Sequence, residues 1–231
     1  MRLSFEERPY SGSTFRPRPE IHFDPQTNLL IVATPWGPRS GARKAIDRML
    51  NYLMLAQGDK EVTSPFERLS CLSVAANNLR TSALLANEAI YRDDNKTEYK
   101  VGVEIFAAYF QGNEGVWVQA GHPHILLSRV DNSVTPLGCP TDLSFDLSSK
   151  EHLLAPLPSL LLGLDSTVNL TIGSFRAQVG DKIVLLSHSQ LPREIFSFES
   201  DQVRLDTVSK SIAQQAPDLA FWLGILELRA S

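Results

Sequence analysis

Three histidines, two hydroxyls and a few arginines are the residues of this chain best suited to chemistry. His122 and His124 stand two apart in Ala120-Gly121-His122-Pro123-His124, and on extended backbone that spacing puts both imidazoles on one face. Neutral imidazole favours borderline or soft divalent metals, so the pair could join His188 around such an ion. The competing reading is an ordinary turn histidine, since no cysteine or further histidine is paired with these in sequence. Ser187-His188-Ser189 sets hydroxyls beside a base, as nucleophilic catalysis requires. Neighbours on a strand point to opposite faces, however, which leaves Ser187 and His188 badly placed to share a proton. Arg16, Arg18 and Arg39 offer planar guanidinium forks to a phosphate, with solvation as the plainer alternative. Neither a Gly-x-Ser-x-Gly elbow nor a phosphate-cradling glycine loop occurs.

The elements that must carry these residues follow from hydrophobic periodicity. A short alternation at Leu3 and Phe5 reads as an edge strand interrupted by Pro9, within an otherwise irregular segment 1–28. Residues 28–33 are a continuous apolar run, a strand buried on both faces, stopped by a turn at Thr34-Pro35-Trp36-Gly37-Pro38. Ala42, Ala45, Ile46, Met49, Leu50 and Leu53 recur at helical steps, and that helix ends near Gly58. Ser64-Pro65-Phe66-Glu67 reads as a capping box opening a second helix that runs to about Tyr91, with Cys71 as a reduced, buried thiol inside it. Residues 101–110 are a strand, and 115–129 read as a β-hairpin turning at Ala120-Gly121-His122-Pro123. A polar connection over 131–149 and an irregular buried stretch over 153–163 follow. Strands over 171–179, 183–186 and 221–228, with a short helix over 206–215, complete an α+β layout.

Composition narrows the function classes. With 231 residues, 43% of them hydrophobic, the chain suits one domain, 1–231. Lys plus Arg number 22 against 26 Asp plus Glu, a formal charge of -4, so no global positive field points to nucleic acid or anionic lipid. The apolar stretch 153–164 is too short and proline-rich to span a bilayer, and no secretory signal opens the chain, so a cytoplasmic location is expected.

Several phrases resemble the metal-dependent protein phosphatase family, type 2C, and especially its bacterial sporulation-type branch. Residues 113–129, with Ala120-Gly121-His122-Pro123 at their turn, are similar to the family segment commonly reading Ala-Gly-His-x-Pro. Gly163-Leu164-Asp165, followed by Gly173-Ser174-Phe175 and the run from Gly180-Asp181 to Ser187, resembles the approach to the family's second metal-binding loop. The likeness covers roughly residues 20–228. It implies a four-layer α/β/β/α sandwich of two mainly antiparallel sheets flanked by helices. It also implies hydrolysis of phosphoserine and phosphothreonine by two Mg²⁺ or Mn²⁺ ions bridged by a water, a chemistry that needs hard carboxylate oxygens.

Those carboxylates are largely missing. Where the family reads Ala-Asp-Gly this chain has Ala33-Thr34-Pro35, and where it reads Ser-Asp-Gly this chain has Ser187-His188-Ser189. The family's terminal Asp-Asn-x-Thr falls on Asp218-Leu219-Ala220-Phe221, and its N-terminal Arg-x-x-Asn-x-Asp on Arg16-Pro17-Arg18-Pro19-Glu20. Glu20 and Asp218 are the surviving candidates, too few for two dications. The expectation is therefore a catalytically inactive phosphatase fold, a pseudophosphatase without metal, acting as a regulatory or protein-binding module. Trp36, which stands where the resemblance places the active-site loop and is rimmed by Arg39 and Arg43, would be an exposed anchor for a partner protein, while Trp222 is core. The alternative is a phosphoserine/phosphothreonine hydrolase with a rebuilt site, in which His122, His188 and Asp218 hold Mn, Mg or a softer divalent metal.

Overall fold

Six of the ten described strands are buried at most of their positions. In the computed structural model, which describes residues 1–58, 66–130, 132–147 and 154–230, the described strands form two antiparallel five-stranded sheets. The chain divides into two compact units. One comprises residues 1–18, 121–159 and 177–231, the other residues 19–120 and 160–176.

The first unit holds β1 (Arg2–Tyr10), β6 (His124–Ser128), β7 (Thr135–Gly138), β9 (Lys182–Ser187) and β10 (Phe221–Arg229), in the spatial order β1-β10-β9-β6-β7. Helix α4 (Leu205–Gln215) buries Val208 and Ile212 in a core with Leu126, Val184, Leu186, Leu223 and Ile225. A five-residue helix, α3 (Leu143–Leu147), and a 3-10 turn, Arg193–Ser197, lie in its connections. Trp222 is buried, as expected, and its indole N–H donates to Glu7 at 2.7 Å. Contrary to expectation, β1 runs through Pro9, which pairs with Trp222. An edge strand tolerates proline because it pairs on one side only.

The second unit holds β2 (Glu20–Asp24), β3 (Leu29–Trp36), β4 (Gly102–Gln111), β5 (Glu114–Ala120) and β8 (Thr171–Arg176), in that spatial order. Helices α1 (Arg39–Gly58) and α2 (Val74–Ala89) bury Ala42, Ala45, Met49, Leu79, Ala83 and Ala86 against Ile31, Ile105 and Val118. Asn95 ties the loops of this unit together. Its amide donates to the carbonyls of Val101 (2.6 Å) and Gly163 (2.7 Å), and its oxygen accepts from the N–H groups of Lys100 (2.8 Å) and Val101 (3.0 Å).

The structure corrects several sequence expectations. Residues 115–129 are not a hairpin: β5 pairs with β4 and β8 in one sheet, and β6 with β9 and β7 in the other. With β4 and β8 on either side, β5 has no edge left for β6. Gly121, at φ 74, supplies the left-handed turn at which the chain leaves one sheet for the other. The turn placed at Thr34 begins only at Gly37, because β3 continues to Trp36 against Gly102. Pro35 is accommodated there since β2 reaches only to Ala33, so that end of β3 has a single ladder.

Helix α2 starts at Val74 with Ser73 as N-cap, its hydroxyl accepting from the Ala76 N–H at 3.3 Å. Of the proposed capping box, Ser64 and Pro65 lie outside the described residues, and Phe66 and Glu67 are not helical. Asn77 explains why residues 69–73 do not join the helix: its side chain bonds the backbone of Leu69, Leu72 and Ser73 and holds that turn open. Cys71, in this turn, is exposed rather than buried. The segment read as irregular over 1–28 contains β2, and the polar connection over 131–149 contains β7 and α3, with Asp131, Ser148 and Ser149 outside the described residues. Among the described residues no helix is long and apolar enough to cross a membrane.

Candidate functional site

The first unit gathers more polar side chains into one buried cluster than its core needs, and the cluster begins with Asp142. This carboxylate caps the short helix α3: Oδ1 accepts from the Ser144 N–H (3.0 Å), the Ser144 hydroxyl (2.6 Å) and, from the returning chain, the Leu157 N–H (2.9 Å). Oδ2 accepts from the Arg16 guanidinium at 3.2 Å, and the two side chains are 0% and 2% exposed. Arg16 also donates to the Ser189 hydroxyl at 3.4 Å. Burial pushes the Asp142 carboxyl up, but hydrogen bonds from Ser144, Leu157 and Ser189 outweigh it and hold the pKa at about 2. Asp142 is thus a permanent anion.

The histidines stand beside this pair. His122 and His124 pack edge to face with ring centroids 5.3 Å apart, and His188, the residue after β9, packs edge to face on Phe221. All three are buried. His124 Nε2 lies 3.1 Å from the His188 carbonyl oxygen, an acceptor, which places the proton on Nε2 and leaves Nδ1 as a lone pair with no partner. His188 Nδ1 lies against the Gln190 carbonyl and 3.0 Å from the Gln190 N–H, while Nε2 has no partner. Burial, with His122 next, lowers the His124 pKa to about 3, and burial lowers that of His188 to about 4, so both rings are neutral. The Ser187 hydroxyl has no hydrogen-bond partner, so Ser187 and His188 do not form a nucleophile–base pair. A cleft of about 660 Å³ opens beside the cluster, lined by His124, Asp142, His188, Ser189, Gln190 and Arg193 among others.

Asp218, also in the first unit, has an exposed side chain, and its carbonyl oxygen accepts from the N–H groups of Ser13 (2.8 Å) and Thr14 (3.2 Å). Arg18 is exposed, whereas Arg16, expected as a solvated or phosphate-facing fork, is sealed against Asp142. In the second unit Thr34 is buried and faces Glu104 across the β3–β4 ladder. Trp36 is half-buried rather than exposed, because its indole N–H reaches back to Glu104 at 3.0 Å. Arg39 is exposed and ion-paired with Glu20 at 2.6 Å, and Arg43 stands 3.7 Å from the same carboxylate. Glu20, a surviving carboxylate by the resemblance, is therefore engaged by arginine.

Sequence reasoning missed Asp142, its partner Ser144 and the pairing of Arg16 with Asp142 and Ser189. The available signal was Asp142-Leu143-Ser144 ahead of an apolar turn, an Asx cap. Nothing in the sequence links position 16 to position 142.

Two hard dications need several convergent carboxylate oxygens. Among the described residues no group of three or more His, Cys, Asp and Glu side chains converges to hold a metal ion. Among the described residues, the buried donors beside His188 are three imidazoles and one carboxylate already bonded to a guanidinium, a set that does not fit Mg²⁺ or Mn²⁺.

No family model and no curated protein matches the sequence. Solved structures do match. The serine/threonine phosphatase PstP/Ppp of Mycobacterium tuberculosis is similar over 100% of both chains, at 16% identity and a TM-score of 0.66. The phosphatase Stp1 of Staphylococcus aureus is similar over 100% of this chain and 96% of its own, at 14% identity and a TM-score of 0.67. A third match, the catalytic domain of PstP in complex with 2 manganese ions, has 18% identity over 99% of each chain and a TM-score of 0.63. Two antiparallel sheets with their helices, aligned over the full chain, give this protein the fold of the PPM-type serine/threonine phosphatases, the type 2C fold that its sequence resembles.

Proposed function

We propose that this chain is a type 2C phosphatase fold without phosphatase chemistry, a regulatory module that works by binding another protein. The observation that carries this reading is the commitment of Asp142. The buried carboxylate of the His188–Ser189 region spends Oδ1 on Ser144 and Leu157 and Oδ2 on a buried guanidinium. A metal-bridged water needs the opposite, a cluster of carboxylates left open to a dication. Thr34 and His188, at the positions where the resemblance puts metal-binding aspartates, supply no charge at neutral pH. The PstP catalytic domain was solved with 2 manganese ions, and the donors here do not suit that pair.

The test is hydrolysis of p-nitrophenyl phosphate and of a phosphothreonine peptide, with and without Mn²⁺. The reading predicts turnover indistinguishable from a buffer blank. Mn²⁺-dependent turnover that disappears in His188→Ala would overturn it in favour of a rebuilt metal site.

A further inference from the structure

The buried ion pair has the construction of a ligand site filled by the chain itself. Asp142 is oriented before any cation arrives, because three donors fix Oδ1 and turn Oδ2 outward. Beside it Ser189 Oγ presents a second acceptor, 3.4 Å from the Ser144 hydroxyl. Two acceptors side by side match the planar fork of a guanidinium better than the single point of an ammonium. Arg16 meets both acceptors with one corner of its guanidinium, Nη2 standing 3.2 Å from Asp142 Oδ2 and 3.4 Å from Ser189 Oγ.

Arg16 reaches the pocket from an arm with its own anchorage. The Ser13 hydroxyl, like the Ser13 and Thr14 N–H groups, donates to the Asp218 carbonyl, and the Ala220 N–H donates to Thr14 Oγ1 at 3.3 Å. Gly12 makes this approach possible, since a Cβ there would lie 2.5 Å from the backbone of Asp218 and Ala220. Between clamp and pocket stands only Phe15, which is 71% exposed. None of the clamp's hydrogen bonds involves Arg16.

The adjoining cleft favours the same ligand class. His124, which lines the cleft and is 6% exposed, holds an acceptor nitrogen, Nδ1, that has no partner. Among the described residues, Asp146 and Glu194 line it against the single cation Arg193. Acceptors and carboxylates in excess suit a donor-rich cation.

We infer that Asp142, Ser189 and the adjoining cleft form an arginine-binding site, that Arg16 is its resident internal ligand, and that an arginine-bearing segment of a partner protein binds by displacing it. This inference rests on the reading of the chain as a binding module. Its test reads binding, whereas that reading is tested by turnover, so either can fail alone. An external arginine must first bear the cost of expelling Arg16, and its apparent affinity is reduced by the fraction of molecules in which the pocket stands open.

The probe is a short fluorescein-labelled peptide with one arginine, titrated by fluorescence polarisation beside a counterpart carrying lysine. Arg16→Met is expected to tighten binding of the arginine peptide by at least about tenfold over the parent protein, the gain due if fewer than about a tenth of molecules are open. The lysine peptide should gain far less, and the Arg16→Met/Asp142→Asn double variant should lose the gain. If Arg16→Met does not fold by circular dichroism, Arg16→Lys carries the test, because it keeps the charge and removes the fork; a smaller gain for the arginine peptide is then expected. No gain in the folded variant, a gain that survives Asp142→Asn, or equal binding of the lysine peptide would each overturn the inference.

Discussion

Removing one member of the Arg16–Asp142 pair should cost far more than removing both. The side chains are 2% and 0% exposed, so in Arg16→Met the carboxylate stays buried without its counter-charge. Breaking a buried pair on one side costs about 3–5 kcal/mol, whereas replacing both partners by groups of similar volume is often close to neutral. The hydrogen bonds to Asp142 decide where in that range each variant falls. They hold its carboxyl at about 2, well below the usual carboxylate range, and so support the anion. Ser144 and Leu157 still provide most of that support when Arg16 is gone, so Arg16→Met should fall near the lower end, at about 3 kcal/mol. Asp142→Asn, which leaves a guanidinium buried and removes charge from the α3 cap, should fall near the upper end, at about 5 kcal/mol. The double variant should cost less than either single, a strong departure from additivity expected of residues in one network. Urea unfolding followed by tryptophan fluorescence measures all three. Single costs below about 1 kcal/mol, or additivity within ~0.5 kcal/mol, would show that the pair is not the buried network described.

Two further outcomes follow from burial. His124 and His188 are held neutral with pKa values of about 3 and about 4, against 6.5 unperturbed. The unfolded chain therefore binds more protons in the window between, and this contribution to stability, complete above the unfolded value, is lost as pH falls through it. At a pH of about 5 each ring costs ~2 kcal/mol, so thermal melts should show a loss of about 4 kcal/mol relative to neutral pH, and a melt unchanged down to that pH would contradict the buried neutral rings. Asn95→Ala removes four hydrogen bonds to the backbone of Lys100, Val101 and Gly163, and should cost at least ~3 kcal/mol in a urea titration; a cost under about 1 kcal/mol would mean that water replaces the amide.

Much of the fold was legible because hydrophobic period reports burial directly. The run at 28–33 and the helical steps from Ala42 to Leu53 correspond to β3 and α1, and the apolar stretches at 183–186 and 221–228 to β9 and β10. Period does not report pairing. The stretches either side of Gly121 look like two arms of a hairpin, yet each is a central strand of a different sheet, and only the competing partners β4, β8 and β9 decide that. The same gap separates the legible from the hidden part of the site. Substitution of aspartate at Thr34 and His188 could be read from local phrases, whereas the Arg16–Asp142 pair joins positions 126 residues apart. Trp36 was legible as an unusual aromatic in a loop, but its bond to Glu104 depends on the β3–β4 register.

Calorimetric titration of the purified protein with Mn²⁺ bears on the whole reading. A fold whose buried carboxylate is already neutralised by Arg16 should give no saturable heat and no rise in melting temperature at millimolar Mn²⁺. Saturable binding with a matching thermal shift would contradict it, and would mean that carboxylates of this chain assemble a metal centre after all.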